Sequence, residues 1–411
     1  MTFLFSLCAA LLLSAATAEA QVAGEVLPPW SPGVLDIHHI NTGKGDSTLV
    51  IFPDGTSLRV DAGASLRPGP RITPQRPNAS RAPGEWIARY ALRMLEPTRA
   101  KHLDYAILTH FDGDHIGDFS VELKDSPTGP YKLTGITEVA EHLPIRKILD
   151  RAWPDYNYPV PLGGAKMENY RKFLSWNIKN KGMVAERFQP GRNDQIVPVN
   201  EPAKYTNFEI RNIAANGEIW TGVATNTRQH FPPLDSLPAS ERPSENACSI
   251  VFRLSYGKFD YFSGGDIPGL PAEGSPPWFD VESAVAGVVG PVEVHVLNHH
   301  GFHDAANAYF VSTLRPRVHI LSTYAPSHPG HRVLGRLLSR RLYPGDRDVF
   351  ATNIMEATKI VIGDAINALK SQQGHILVRV APGGDTFRVI VLDDSSESFK
   401  VVSVHGPYEA R

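Results

Sequence analysis

The chain of 411 residues has only two cysteines, Cys8 and Cys248. Cys8 sits in an apolar stretch at the very start, so a processed protein keeps Cys248 alone and can form no internal disulfide. Long apolar runs are also missing: beyond the first twenty residues nothing approaches the roughly 18 consecutive apolar residues that suggest a membrane span. There is no excess of either charge, the net value being −2, or −1 if Glu19 leaves with the leader. A near-neutral chain is not globally steered to nucleic acid, although local basic stripes remain available. Without a disulfide, stability is left to an apolar core, and 42% hydrophobic residues suffice for one large core or two ordinary ones.

Residues 1–20 read as a signal peptide. An apolar run from Phe3 to Leu13 is followed by small residues ending in Ala18-Glu19-Ala20, which predicts cleavage before Gln21. Phe5-Ser6-Leu7 offers no small residue just before Cys8, which argues against a lipid anchor. The expected product is exported, periplasmic or secreted, with no membrane attachment after cleavage.

Short apolar segments at 35–41, 47–52 and 57–60, the last two joined by Pro53-Asp54-Gly55, predict a strand meander. Residues 65–83, rich in Pro, Arg and Ser, predict a long exposed loop. Ile87, Tyr90, Ala91, Met94 and Leu95 then recur at helical spacing until Pro97. A buried strand is expected at 105–109, strands at 248–256, 259–263 and 292–297, a helix at 333–343, and closing strands at 376–380 and 387–392. Residues 155–246 break this alternation with Pro, Gly, Asn and aromatics, and read as an insertion or lid within a single domain spanning 31–400. The order predicts an α/β fold with two packed sheets between outer helices.

The densest chemistry follows the strand at 105–109. His110, Asp112, Asp114 and His115 place two imidazoles and two carboxylates in one tight loop, a ligand set for Zn²⁺ or, being oxygen-rich, Mn²⁺. Asp266 ends another strand after two glycines that let the backbone turn sharply, and His299-His300 ends a third. Asp61, in Asp61-Ala62-Gly63, is a ligand, a hydrogen-bonding support for one, or a simple turn residue.

These segments resemble the metallo-β-lactamase superfamily, and within it the hydrolase domain of ComEC-type DNA-uptake proteins. The resemblance covers most of residues 35–392 and rests on His39 to Ser47, Asp61-Ala62-Gly63, His110 to Gly117, Ser263-Gly264-Gly265-Asp266, His299-His300-Gly301 and Ser327-His328-Pro329. It implies a four-layer αββα sandwich holding two divalent ions, zinc or manganese. His110 and Asp112 would serve the first ion, Asp114 and His115 the second, and Asp266 would bridge both. One of His299 and His300 would complete the second site, and Asp114 would also orient the attacking hydroxide. Two ions roughly 3.5–4 Å apart generate hydroxide near neutral pH and clamp attacking and leaving oxygens. Asp112 stands where most of the superfamily has His, and Lys44 where the subgroup usually has Gln. A remaining first-site histidine has no match, and Asp150, closing the 145–149 apolar stretch, is the best-placed substitute.

Arg332, Arg336 and Arg340 fall at i, i+4 and i+8 on the expected helix, and Arg67, Arg71, Arg76 and Arg81 line the long loop. Such stripes suit a phosphate-bearing substrate, DNA included, with His328 and His331 as candidate general acids or phosphate contacts. The expected activity is that of an exported phosphodiesterase or nuclease. The alternatives are lactam or lactone hydrolysis, and a catalytically weak module that binds nucleic acid or another polymer.

Overall fold

The computed structural model describes residues 21–411 except 68, 271 and 273. The expected signal peptide lies outside the described residues. In chain order the first half comprises β1 (Leu35–His39), β2 (Thr48–Ile51), β3 (Ser57–Val60), α1 (Pro83–Leu95), β4 (Leu103–Ile107), α2 (Gly113–Ile116), α3 (Gly135–His142), β5 (Ile145–Asp150), α4 (Gly164–Lys181) and β6 (Val184–Arg187). The second comprises β7 (Phe208–Ala215), β8 (Glu218–Trp220), β9 (Thr227–Gln229), β10 (Val251–Tyr256), β11 (Phe259–Ser263), α5 (Val281–Val289), β12 (Val294–Val296), α6 (Ala308–Leu314), β13 (Val318–Leu321), α7 (His331–Leu338), β14 (Asp348–Ala351) and α8 (Glu356–Ile362). Finally β15 (His375–Val380), β16 (Thr386–Leu392) and β17 (Val401–Glu409) return to the first sheet.

Two mixed sheets result, ordered β17-β16-β15-β1-β2-β3-β4-β5-β6 and β14-β13-β12-β11-β10-β7-β8-β9. Strand alternation assigns the faces. Leu35, Ile37, Val50, Leu58 and Ile107 of the first sheet share one core with Phe252, Leu254, Tyr261, Val294 and Ile320 of the second. The opposite face of the first sheet, with Leu49, Ile51, Leu103 and Ala106, packs on Ile87 and Leu95 of α1, Val139 of α3 and Phe173 of α4. The outer face of the second sheet takes α5 and α6 through Val285, Val289, Phe310 and Leu314, and α7 through Leu334 and Leu337. This mixed α/β arrangement is compatible with a four-layer αββα sandwich.

Residues 155–246 read in sequence as an insertion or lid. They supply α4 and β6 to the first half and β7 to β9 to the second sheet, with β7 paired to β10. The buried face of α4, including Met167, Tyr170, Leu174 and Asn177, is obscured in sequence by the Lys, Arg and Asn residues around it. The expected helix at 333–343 instead runs from His331 and stops at Leu338, where Ser339 turns extended. No helix among the described residues is long and apolar enough to cross a membrane.

In each sheet a parallel set, β3 to β6 and β11 to β14, aligns its strands' carboxyl ends. Loops leaving those ends gather the polar residues.

Candidate metal centre

The strand β4 delivers Thr109 to His115 onto the first sheet's carboxyl rim, where neighbouring loops grip the backbone. Asp46 N donates to Asp114 O at 2.8 Å, and Ala62 N donates to His115 O at 2.7 Å. Gly63 is required here: a Cβ on it would fall 2.0 Å from Asp114 O. The second sheet contributes Asp266 after β11 and His299-His300 after β12. Both histidines adopt left-handed backbone, with φ of 48° and 52°, a strained choice for consecutive non-glycine residues.

Asp114, His115, Asp266 and His300 converge, all buried. His115 Nε2 lies 3.2 Å from Asp266 Oδ1 and 3.2 Å from His300 Nε2. His300 Nε2 lies 3.5 Å from Asp266 Oδ2 and 3.6 Å from Asp114 Oδ2. Ligand bonds of about 2.0–2.1 Å in tetrahedral array put ligand atoms about 3.3 Å apart, and these four separations are close to that, with His115 and His300 facing different oxygens of Asp266.

The outward edges of the two rings fix their tautomers. His300 Nδ1 lies 2.9 Å from Ser322 O, a carbonyl that can only accept, so Nδ1 carries a hydrogen and Nε2 is the nitrogen a metal ion would take by displacing its proton. His115 Nδ1 meets Asp61 Oδ2 at 2.8 Å, the carboxylate–imidazole arrangement that orients a metal ligand. Asp61 also accepts from Thr109 N at 2.8 Å, which makes it a support for the metal loop. Two inward Nε2 atoms beside two carboxylates form a site that a dication would enter by displacing the protons held there.

A second, more open group surrounds the other side of Asp266. His110 Nε2 is buried without a hydrogen-bond partner, 3.8 Å from Asp266 Oδ2 and 3.7 Å from Asp112 Oδ2. His299 Nε2 is 4.0 Å from Asp266 Oδ2, while its Nδ1 is held 2.8 Å from Asp304. Asp112 is the exposed member, at 47% side-chain exposure. Asp266 thus directs Oδ1 to the inner group and Oδ2 to both, and His300 belongs to the inner group while His299 faces the outer one.

Electrostatics follow this packing. Burial disfavours the Asp266 charge, but His115 and His300 outweigh it and hold the carboxyl well below its usual range. Burial likewise opposes the His300 charge, yet Asp266 and Asp114 lift it to about 10 in the metal-free protein. Burial, with His115 beside it, drives His110 well below the ordinary histidine value. Burial and the nearby Asp114 raise Asp112 to about 6.

Other candidates fall elsewhere. Asp150 does not join either group: it accepts from Ala152 N, Trp153 N, Tyr156 Oη and Tyr170 Oη at 2.6–2.9 Å, so it anchors the turn after β5. His328 is buried and stacks on His300, ring centres 5.0 Å apart, its Nδ1 unpartnered. His331 and Arg332 are exposed at the start of α7 and carry no side-chain hydrogen bond among the described residues. Of the arginine stripe, Arg336 bonds the carbonyls of Ala305 and Ala306 and Arg340 pairs with Asp346.

Sequence reading did not single out Tyr324, whose hydroxyl donates to Asp114, or Glu245, which accepts from Phe111 N at 2.9 Å. Nor did it single out Asp46, half-buried beside Asp61 and His115 with a buried, unpartnered Oδ1. Each is one residue in an irregular loop, and only the His39 to Ser47 segment around Asp46 carried a signal.

No protein-family profile matches the chain, and no curated protein does. A solved structure from Parabacteroides distasonis, described as a "Putative metal-dependent hydrolase", is similar at 12% identity and a TM-score of 0.36 over 78% of this chain and 94% of that one. A likeness that weak carries no argument about activity.

Proposed function

We propose that the chain is an exported metal-dependent hydrolase of metallo-β-lactamase type, acting on phosphodiesters. The observation that carries this reading is the inner group: four buried residues whose donor atoms lie within 4.8 Å of one another, with the outer nitrogen of each ring engaged so that Nε2 faces inward. The reading extends to a second ion, zinc or manganese, on the other side of Asp266, where the observation that favours it is the unpartnered Nε2 of His110. Divalent ions held there would supply Lewis-acid activation of water and of the scissile group.

The chain's own residues divide the remaining work. Asp114, fixed by the Tyr324 hydroxyl, orients the attacking water. Arg67 is the cation on which the charges of this region act, its guanidinium held above its ordinary value by Tyr324 and, against partial burial, by Asp114, Asp118 and Asp112. Lys166 approaches Asp112 as a further cation. Positive groups beside the exposed end of a metal centre favour an anionic substrate.

The test compares the processed protein, loaded with Mn²⁺ or Zn²⁺, with Asp114→Ala on bis-p-nitrophenyl phosphate, single-stranded DNA and nitrocefin. Phosphodiester turnover lost in the variant is the expected result. Equal activity in both proteins removes the proposal, turnover of nitrocefin alone replaces it with lactam hydrolysis, and salt-sensitive DNA binding without turnover replaces it with a binding module.

A further inference from the structure

The carboxyl end of β5 presents no ligand to the metal centre. The residue after Asp150, Arg151, is fully buried, and its guanidinium is engaged on every side. Nε donates to Glu245 Oε1 at 2.8 Å, and Nη2 donates to Glu245 Oε2. Nη1 donates to Asn216 Oδ1 at 2.9 Å and to Tyr158 O at 3.0 Å. The guanidinium also lies over the Phe111 ring, 5.0 Å from its centre. Glu245 in turn takes the Phe111 amide hydrogen, and Phe111 separates His110 from Asp112.

We propose that Arg151 and Glu245 are a positioning pair for the outer half of the metal centre, setting the His110–Asp112 segment for the second ion. Their contacts are selective. Asp61 orients His115, Ser322 orients His300 and Tyr324 fixes Asp114, and neither Arg151 nor Glu245 touches any of these supports. Neither partner can be neutralised cheaply, because removing one leaves the other as a charge without its counterpart in a largely buried place. The pair also joins the two halves of the fold, since Arg151 follows β5 of the first sheet and Glu245 precedes β10 of the second.

This inference rests on the two-ion reading of the site. Its test is a cobalt(II) titration of the metal-free wild type, Glu245→Gln and Arg151→Lys, followed by d–d absorption and by elemental analysis of bound metal. In Glu245→Gln the outer binding step weakens about 10–100-fold while the inner step stays within about threefold, as for loss of a supporting residue. Arg151→Lys, which keeps the charge without the fork, gives a smaller loss of the same step and decides the matter if Glu245→Gln does not fold. Unchanged outer binding in a folded variant, or equal weakening of both steps, overturns the positioning role. A wild type that binds a single ion defeats the two-ion reading itself, and this inference with it.

Discussion

The Asp61 carboxylate lies 2.8 Å from Nδ1 of His115, on the ring edge opposite the Nε2 that faces Asp266. The carboxylate therefore selects the tautomer that leaves Nε2 free. Asp61 has a φ of 55°, which asparagine also tolerates, so Asp61→Asn tests the charge without disturbing the backbone. The expected result is metal affinity about 10–100-fold weaker, measured by competition with a chelator.

Metal binding will release protons. Asp266 and Asp114 overcome burial to keep His300 protonated up to about 10, and His115 is raised in the same sense by Asp266 and Asp61. A dication must displace such a proton, so affinity rises about tenfold per pH unit for each proton released between pH 6 and 9. Affinity that stays flat over this range would contradict the assignment of His300.

Glu138 provides a separate pH effect, in α3. Burial, with Glu85 nearby, lifts its carboxyl from 4.5 to about 7. Because the folded value is the raised one, its contribution is fully favourable below about 4.5 and is lost as pH climbs through about 7. Glu138→Gln removes this dependence. Urea unfolding of the metal-free proteins should show the variant more stable at pH 8, by on the order of 3 kcal/mol, and little changed near pH 4.5.

In the proposed reaction Arg67, which feels the charges of Asp114 and Asp112, acts on substrate charge. Arg67→Ala is expected to raise KM about tenfold for an anionic phosphodiester, with kcat nearly unchanged, because uniform binding is what it removes. Equal loss of kcat and kcat/KM in steady-state assays would place it in the chemical step instead.

Much of the frame was legible in the chain. Leu35 and Ile37, and Leu58 and Val60, show the two-residue alternation of strands, and Ile87 to Leu95 shows the helical one. The residues now gathered around Asp266 were also legible, because each follows a recognisable strand end. Asp150 has the same local signature, yet four donors from its own loop and α4 surround it, and no local pattern reports such neighbours. Tyr324 and Glu245 are invisible for the converse reason: they reach the centre from 210 and 134 positions away from their partners. Within 155–246 the elements α4 and β7 were not legible, because many loops surround them and their partners lie elsewhere in the chain.

The left-handed pair at 299 and 300 sets two demands that no single residue meets. Glycine at either position would relax a conformation that costs on the order of 1–3 kcal/mol per residue, but it would carry no imidazole. Selection for heat resistance alone should therefore drift these positions towards glycine or asparagine, while selection for turnover should restore histidine. A library randomised at His299 and His300 and sorted both ways would separate the two pressures at the same backbone position.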